Sequence, residues 1–246
     1  MNNGRTNPVR NQEKPANSAL RVLQPCWPKC FRRLKMFQSS KRAKPSSLAV
    51  PCRESMSLYS PKGRKYLNTA ERRRFLSALE RRTSAIRLFC LTLMWSGCRI
   101  SEALALTPRC FDLDAGTIEI ETLKRRKLGV VRQVPLPPDL IGELSAWSDL
   151  AAMQRNPCLA YRRLWHWSRT TAWRHVKGVM VEADVSDGSA MPKGLRHTFG
   201  VAAFQSVPPH LVQRWLGHAS LRTTAIYGDV SGPEERSFAE RLWVAW

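Results

Sequence analysis

The chain has 246 residues, 43% of them hydrophobic, which is enough for one or two domains with a sizeable core. Its 40 Lys and Arg residues outnumber 19 Asp and Glu, and the net charge of +21 favours a polyanionic partner, either nucleic acid or an anionic membrane surface. The longest apolar run, residues 86–95, is interrupted by Arg87 and Thr92 and is too short to span a bilayer.

The cysteines and the N-terminal sequence indicate a compartment. Seven cysteines without regular spacing fit a reducing environment. Cys26 and Cys30 lie close together, but no second pair follows at the spacing of zinc ligands, so we expect no metal site. The first 20 residues are polar and carry no secretory signal. These features predict a cytoplasmic protein without a membrane partner.

The positive charge is concentrated towards the N-terminus. Residues 1–65 carry 15 Lys and Arg against 2 Asp and Glu, a net +13, whereas residues 66–246 carry 25 against 17, a net +8. Residues 1–60 are also rich in Pro, Ser and Asn and have no periodic apolar pattern, so they cannot bury enough surface to offset their chain entropy. We expect a basic, largely disordered arm over residues 1–65 and a folded domain over residues 66–246.

Helical signals begin directly after this arm. Asn68 and Glu71 have the spacing of a capping box in front of an amphipathic helix. Residues 85–95 are apolar on nearly all sides, which predicts a buried helix that ends at Ser96 and Gly97. A third helix is predicted from Ile100 until Pro108 closes it.

From residue 117 the apolar residues recur at every second position, which is the period of a β-strand. Residues 117–122 alternate strictly between apolar and polar, residues 130–136 do so more loosely, and the basic residues 124–127 lie between them. This predicts an antiparallel hairpin with a basic tip. From Asp139 onward the pattern is helical again, with Ser168 as the cap of one helix. The fold class predicted is mainly α with a small antiparallel β-sheet (α+β).

Several side chains suit the chemistry of a phosphodiester. Arg99 and Arg196 can each donate two parallel hydrogen bonds to its nonbridging oxygens and stabilise the charge that gathers there in the transition state. Tyr227 is a candidate nucleophile, because a phenol ionises far more readily than a serine hydroxyl. Lys124, at the end of a predicted strand, can protonate the leaving oxygen, and His218 can hydrogen-bond a nonbridging oxygen.

Three segments together resemble the tyrosine recombinase, or phage integrase, family. SGCRISEALAL (residues 96–106) is similar to its first arginine box, GLRHTFG (194–200) to its second, and WLGHASLRTTAIYGDV (215–230) to its histidine and tyrosine boxes. The similarity runs from about residue 66 to residue 243, and the motifs follow in the family's order.

The resemblance implies a catalytic-domain fold and a function. Arg99 and Arg196 bind the scissile phosphate, Lys124 is the general acid, His218 supports the phosphate and Tyr227 forms a 3′-phosphotyrosyl link. The protein is then a site-specific recombinase that needs no cofactor or metal, acts on double-stranded DNA near the bacterial nucleoid, and assembles as a tetramer of protomers on DNA.

Two departures from the family pattern stand out. Lys193 occupies the position, three before Arg196, where the family commonly has histidine; a lysine is a poor base at pH 7, yet it can still hold the phosphate. His197, next to Arg196, is expected to point into the fold. In addition, only about 65 residues precede the catalytic region, where most members have an all-helical core-binding domain.

Other interpretations remain open at the level of sequence. The chain can be a DNA-binding derivative of a recombinase that has lost cleavage, or a nicking-closing enzyme resembling type IB topoisomerases. An RNA-binding module lacks support, since no ring-rich sheet motif is present. Residues 233–243 form an amphipathic pattern, and a helix there can close the core of its own chain. In this family's architecture such a helix often docks on a neighbouring protomer, and that docking is our hypothesis.

Overall fold

The computed structural model describes residues 57–61, 63–122, 129–186, 188–230, 235–236 and 239–240. Most of these residues are helical. The helices are α1 (Thr69–Leu79), α2 (Ser84–Ser96), α3 (Ile100–Ala103), α4 (Pro138–Ser148), α5 (Leu150–Arg155), α6 (Arg169–Glu182), α7 (Pro192–Phe204), α8 (Pro209–Leu216) and α9 (Leu221–Ala225). Short 3₁₀ segments follow at Pro108–Cys110 and Ile226–Gly228. None of the helices in this part of the chain combines the length and apolar character needed to cross a bilayer.

The strands form two small antiparallel sheets. They are β1 (Tyr59–Ser60) with β2 (Gly63–Arg64), and β3 (Phe111–Asp112), β4 (Thr117–Glu121) and β5 (Val131–Pro135) in the order β3-β4-β5. The pairing of Ile118 with Val134 and of Ile120 with Arg132 puts the alternating buried residues of β4 and β5 on one face. The expectation of a mainly helical domain with a small antiparallel sheet is confirmed.

The predicted local signals appear where the sequence places them. The side chain of Asn68 accepts a hydrogen bond from the Glu71 amide and the Asn68 amide donates to the Glu71 carboxylate, both at 2.8 Å, so the capping box of α1 is complete. Ser168 caps α6 by accepting from the Thr171 amide at 3.1 Å. Helix α3 is shorter than expected, because the chain turns after Ala103 before it reaches Pro108.

Residues 57–65, which the sequence pattern assigns to the arm, include the β1–β2 hairpin. Leu58 is 1% exposed and packs in the core with Tyr66. Residues 1–56 lie outside the described part of the chain, as do residues 123–128 with the expected basic tip. Of the expected C-terminal helix, residues 235–236 and 239–240 are described and are helical. The division into a basic arm and a catalytic domain stays a prediction.

Two hydrophobic clusters meet along α7. The larger packs α1, α2, α4 and α6 against the three-stranded sheet around residues such as Phe89 and Trp165. The smaller gathers Leu58, Val212, Leu216 and Tyr227. Helix α7 contributes Leu195 to the first cluster and Val201 to the second, so its polar residues lie where the clusters join.

Candidate active site

A cavity of about 690 Å³ opens at this junction. Its lining contains most of the site residues expected from the sequence: Arg99, Lys193, Arg196, His218 and Tyr227. Lys124 lies outside the described residues. No Asp or Glu side chain is among the described residues that line the cavity, whereas Lys65 and Arg169 add positive charge at its edge. Such a cavity favours an anion.

Arg196 is held by the ends of two other helices. Its Nη1 donates to the carbonyl of Gly97 at 2.7 Å, just after α2, and its Nη2 donates to the carbonyl of Leu216 at 2.6 Å, at the end of α8. The side chain is buried, and burial followed by the charge of Arg99 lowers its pKa to about 10. Arg196 therefore stays charged at neutral pH, and its position is fixed by backbone rather than by other side chains.

Gly97 allows α2 to end beside this guanidinium. Its φ of +60° is the left-handed conformation that glycine adopts at low cost. A Cβ at this position would lie 2.4 Å from Cδ1 of Phe199 on α7. The glycine of the first arginine motif thus brings the chain close to the second, and the following turn presents Arg99 as the N-cap of α3.

Arg99 is held by a carboxylate that the sequence analysis did not single out. Its Nη1 is 2.6 Å from Oε1 of Glu102, and its backbone amide donates to Oε2 at 2.9 Å. Glu102 has a fully buried side chain, while 32% of the Arg99 side chain is exposed to the cavity and solvent. This arrangement orients the arginine and leaves part of it available to a ligand.

Arg132 on β5 is the second partner of Glu102 and was also missed. Its Nη2 donates to Oε2 of Glu102 at 2.6 Å, its Nε to the carbonyl of Trp215 at 2.7 Å and its Nη1 to Thr122 Oγ1 at 2.9 Å. Burial alone would raise the pKa of Glu102, but the charge and hydrogen bond of Arg132, and then Arg99, hold that pKa below its ordinary value. The network couples the sheet to Arg99 through Glu102 and to the end of α8 through the Trp215 carbonyl.

His218 follows directly from the end of α8. Gly217 has a φ of +66°, and the His218 amide donates to the Gln213 carbonyl at 3.0 Å, which closes the helix in a Schellman motif. The His218 Nδ1 is 2.9 Å from Thr224 Oγ1. Burial, followed by the nearby arginines, lowers the pKa of His218 to about 4, so its ring is neutral at pH 7.

Tyr227 is buried against α7 and is 1% exposed. Gly200 makes room for it, since a Cβ there would be 2.5 Å from Cε1 and Cζ of the phenol ring. The ring also lies nearly parallel to that of His218, at 12° with centroids 6.0 Å apart. Burial raises the pKa of Tyr227, whereas Arg196 and Arg99 oppose the rise.

The hydroxyl of Tyr227 meets His197. Its oxygen is 3.3 Å from the His197 Nδ1. His197 is buried, as expected from the sequence, but it also lines the cavity and contacts the residue expected to be the nucleophile. No local signal marks it as a site residue, because 30 positions separate it from Tyr227 and only the fold brings the two together.

The side chains that line the cavity indicate which ligand it suits. Among the residues that the structure describes, no three His, Cys, Asp or Glu side chains are arranged to hold a metal ion. The charged, imidazole and phenol groups that line the cavity are Lys and Arg side chains, two histidines and Tyr227, and the hydroxyls of Ser57, Ser101 and Thr223 lie among them. What this set can do is bind an anion and bring a hydroxyl close to it.

Comparisons with known proteins agree with this geometry. A family model described as the phage integrase family matches residues 65–232. Tyrosine recombinase XerA of Thermococcus kodakarensis is 30% identical over 181 residues, which cover 72% of this chain and 62% of XerA. Tyrosine recombinase XerC of Erythrobacter litoralis is 30% identical over 148 residues, covering 59% of this chain and 47% of XerC. The chain thus spans about half to three-fifths of the length of these relatives.

Solved structures show the same fold. The XerA recombinase crystal structure has a TM-score of 0.59 and 22% identity, covering 72% of this chain and 64% of that one. XerH recombinase bound to a palindromic difH substrate, in a post-cleavage complex, has a TM-score of 0.58 and 25% identity over 73% of this chain and 53% of XerH. The catalytic domain of bacteriophage HP1 integrase has a TM-score of 0.51 and 20% identity, covering 71% of this chain and 93% of that domain.

Proposed function

This chain belongs to the phage integrase family, and we propose that it is a site-specific DNA recombinase that cleaves and rejoins DNA through a 3′-phosphotyrosine intermediate. The observation that carries the proposal is the convergence of Arg99, Arg196, His218 and Tyr227 on one cationic cavity. Arg99 lies 97 positions before Arg196 in the sequence, and a purely structural tyrosine has no need of such neighbours.

The arginines supply the electrostatic part of the reaction. A phosphodiester carries one negative charge, and more charge gathers on its nonbridging oxygens as a fifth bond forms to phosphorus. Arg196, fixed by two backbone carbonyls, and Arg99, fixed by Glu102, meet this charge with donors that are already in position. Lys193 at the same cavity adds a third cation that can hold the phosphate.

The covalent step is a transesterification. The Tyr227 oxygen attacks phosphorus, the bond from phosphorus to the 5′ oxygen breaks, and the enzyme remains joined to the 3′ end of the DNA. The leaving 5′ oxygen takes a proton from a general acid, for which Lys124 is the candidate. A free 5′ hydroxyl then reverses the step and releases Tyr227. Because the tyrosyl ester replaces the broken phosphodiester, no cofactor has to supply energy.

Double-stranded DNA is the partner that fits the charge of +21. XerH, a site-specific recombinase that shares the fold, was solved bound to a palindromic difH substrate. We expect the working assembly to be a tetramer on two DNA sites, in a bacterial cytoplasm. Docking of residues 233–243 on a neighbouring protomer is part of that expectation, and deletion of residues 233–246 should abolish assembly on DNA while monomer binding remains.

A nicked suicide DNA that carries the flanking repeats of the element tests the proposal. Wild-type protein should become covalently attached to the DNA, and Tyr227→Phe should bind the same DNA without forming the adduct. Absence of an adduct on every flanking sequence would favour a DNA-binding derivative that has lost cleavage. Nicking and closing of supercoiled DNA without strand exchange between two sites would favour the activity of a type IB topoisomerase.

A further inference from the structure

We propose that His197 is a catalytic residue that takes the phenolic proton of Tyr227 during attack on the phosphate and returns it when the DNA is rejoined. This inference rests on the proposed function and deepens it. It gives a catalytic role to His197, which the sequence pattern predicts only to point into the fold.

His197 contacts the hydroxyl of Tyr227. The His197 Nδ1 is 3.3 Å from the Tyr227 oxygen, and the ring centroids are 5.9 Å apart. A general base must be within hydrogen-bond reach of the proton it removes, and such contacts are often slightly long before substrate binds. Gly200 on one side and the His218 ring on the other limit where the phenol can move. The packing around the phenol therefore holds the Tyr227 hydroxyl next to the His197 ring.

The cationic groups at the cavity cannot accept the phenolic proton. A protonated lysine and an arginine have no lone pair to accept a proton, which excludes Lys193, Arg99 and Arg196 in their charged forms. The His218 Nδ1 already interacts with Thr224 Oγ1 at 2.9 Å. The His197 Nδ1 lies 3.3 Å from the phenolic oxygen and, in the neutral ring, can carry a lone pair to accept its proton.

The ring of His197 is neutral at pH 7 and can accept a proton. Burial, followed by the charges of Lys193, Arg196, Lys65 and His218, lowers its pKa to about 3, so the ring is neutral at pH 7. Its Nε2 is buried and has no hydrogen-bond partner among the described residues. The tautomer with its hydrogen on Nε2 leaves the Nδ1 lone pair to accept from the phenol.

We expect the binding of a DNA phosphate to raise the pKa of His197, which makes the ring a stronger base for the reaction. Burial is the largest cause of the low pKa of His197, and the cations that lower this pKa further, Lys193, Arg196 and Lys65, also line the cavity where a phosphate would bind. A bound phosphodiester adds negative charge beside them, and more develops as the tyrosine attacks. Opposite charge nearby favours the protonated imidazole, so His197 becomes a better base when DNA is present.

The number of bonds and the number of protons are conserved in the cleavage step. The bond between the Tyr227 oxygen and phosphorus forms while the bond from phosphorus to the 5′ oxygen breaks. The phenolic proton moves to Nδ1, which makes an imidazolium, and the general acid gives its own proton to the 5′ oxygen. On rejoining, the imidazolium returns the proton to the phenolic oxygen as the tyrosyl ester breaks.

The test is single-turnover cleavage by wild type and His197→Asn. Asparagine keeps a hydrogen-bond acceptor near the position of Nδ1 but cannot take up a proton. His210→Asn, at an exposed position of α8, is the matched control. Two suicide substrates are used: an ordinary phosphodiester, and one with sulfur in place of the bridging 5′ oxygen. A thiolate leaves without a proton, so the second substrate needs no general acid.

We expect His197→Asn to cleave about 100-fold more slowly than wild type, because general-base catalysis typically contributes at least that factor. The loss should be the same on both substrates, with DNA affinity and melting temperature close to those of His210→Asn. Cleavage by His197→Asn within threefold of wild type would overturn the assignment. Recovery on the sulfur substrate would overturn it too, because it would place His197 at the leaving group.

A spectroscopic measurement keeps the proposal testable if His197→Asn does not fold. Nitrogen NMR of wild type should show His197 Nδ1 without a proton and with a shift that changes in Tyr227→Phe. A protonated Nδ1 would contradict the proposal. If wild type forms no adduct at all, the proposed function fails and this assignment fails with it, whereas normal wild-type cleavage matched by His197→Asn rejects His197 alone.

Discussion

Glu102 is the residue on which the geometry of the first arginine depends. It joins Arg99, which faces the cavity, to Arg132, whose side chain is 4% exposed. Removing one member of a buried ion pair leaves the other charge without compensation and costs far more than breaking an exposed pair. The network is therefore expected to matter for stability as well as for the site.

Arg132→Ala tests this expectation. We predict a loss of about 3 kcal/mol in the free energy of unfolding, because the buried Glu102 would keep only the partly exposed Arg99 of its two arginine partners. The Trp215 carbonyl and the Thr122 hydroxyl would also lose their donor.

Arg82→Ala is the control, since Arg82 and Glu182 pair at 2.7 Å but are 28% and 40% exposed; its loss should be below about 1 kcal/mol. Urea unfolding of both variants gives the comparison, and equal losses would contradict the account.

His197 and His218 also predict how stability depends on pH. Both have a pKa below the ordinary 6.5 in the folded chain, at about 3 and about 4. Below pH 6.5 the unfolded chain therefore binds protons that the folded chain does not. The contribution of these neutral histidines to the free energy of unfolding is fully present above pH 6.5. It is lost as the pH falls, by up to about 1.4 kcal/mol per pH unit for each histidine.

Urea unfolding between pH 7.5 and pH 5 measures this effect. His197→Asn should reduce the slope of stability against pH, and the exposed control His210→Asn should keep the wild-type slope. If wild type and His197→Asn lose stability in parallel, the burial of a neutral histidine beside Tyr227 is contradicted.

Helix α7 is the element that organises the site. Its first turns present Lys193, Arg196 and His197, and one turn later Gly200 provides space for Tyr227. The helix lies between the two hydrophobic clusters, so a shift of α7 would move Arg196 and change the space that Gly200 leaves for the Tyr227 ring.

Gly200→Ala tests the close approach of α7 and Tyr227. Alanine usually favours a helix over glycine by about 1 kcal/mol. Here its Cβ would be 2.5 Å from the phenol ring, so the ring must move and cleavage should fall by about 100-fold. Gly142→Ala on α4 is the control: nothing lies within 4 Å of its Cβ, so it should stabilise the protein without loss of cleavage. Equal activity of the two variants would contradict the packing.

Local signals in the sequence predict some elements well. The Asn68 and Glu71 pair, the Ser168 cap and the alternation of residues 117–122 each depend on neighbours within a few positions, and each appears in the structure. Contacts such as Arg132 with Trp215, 83 positions apart, depend on tertiary packing and leave no local pattern. The β1–β2 hairpin is not predicted from the sequence for another reason: strands of two residues are too short to show a periodic pattern.

At the scale of the whole molecule, charge is the dominant feature. Residues 1–65 hold +13 of the total of +21, while the remainder holds +8. Contacts between basic residues and phosphates release counterions, so DNA affinity falls as salt rises, with a slope of about 0.9 for each contact. If the arm tracks the DNA backbone, it should contribute to that slope.

Replacing Arg32, Arg33 and Lys35 together with Gln tests the arm. We expect weaker binding to specific and unrelated DNA alike, and a smaller slope of log affinity against log salt, because phosphate contacts carry no sequence information. Fluorescence anisotropy titrations at several salt concentrations give the slope. An unchanged slope would show that these residues make no phosphate contacts.

The central claim is that Tyr227 becomes joined to DNA, and mapping the adduct tests it most directly. Wild-type protein is trapped on nicked suicide DNA, digested with nuclease and trypsin, and analysed by mass spectrometry. The account predicts a nucleotide on the peptide of residues 223–236, attached to Tyr227. Attachment to Tyr59, Tyr66 or Tyr161, or a trapped complex without a covalent bond, would contradict it.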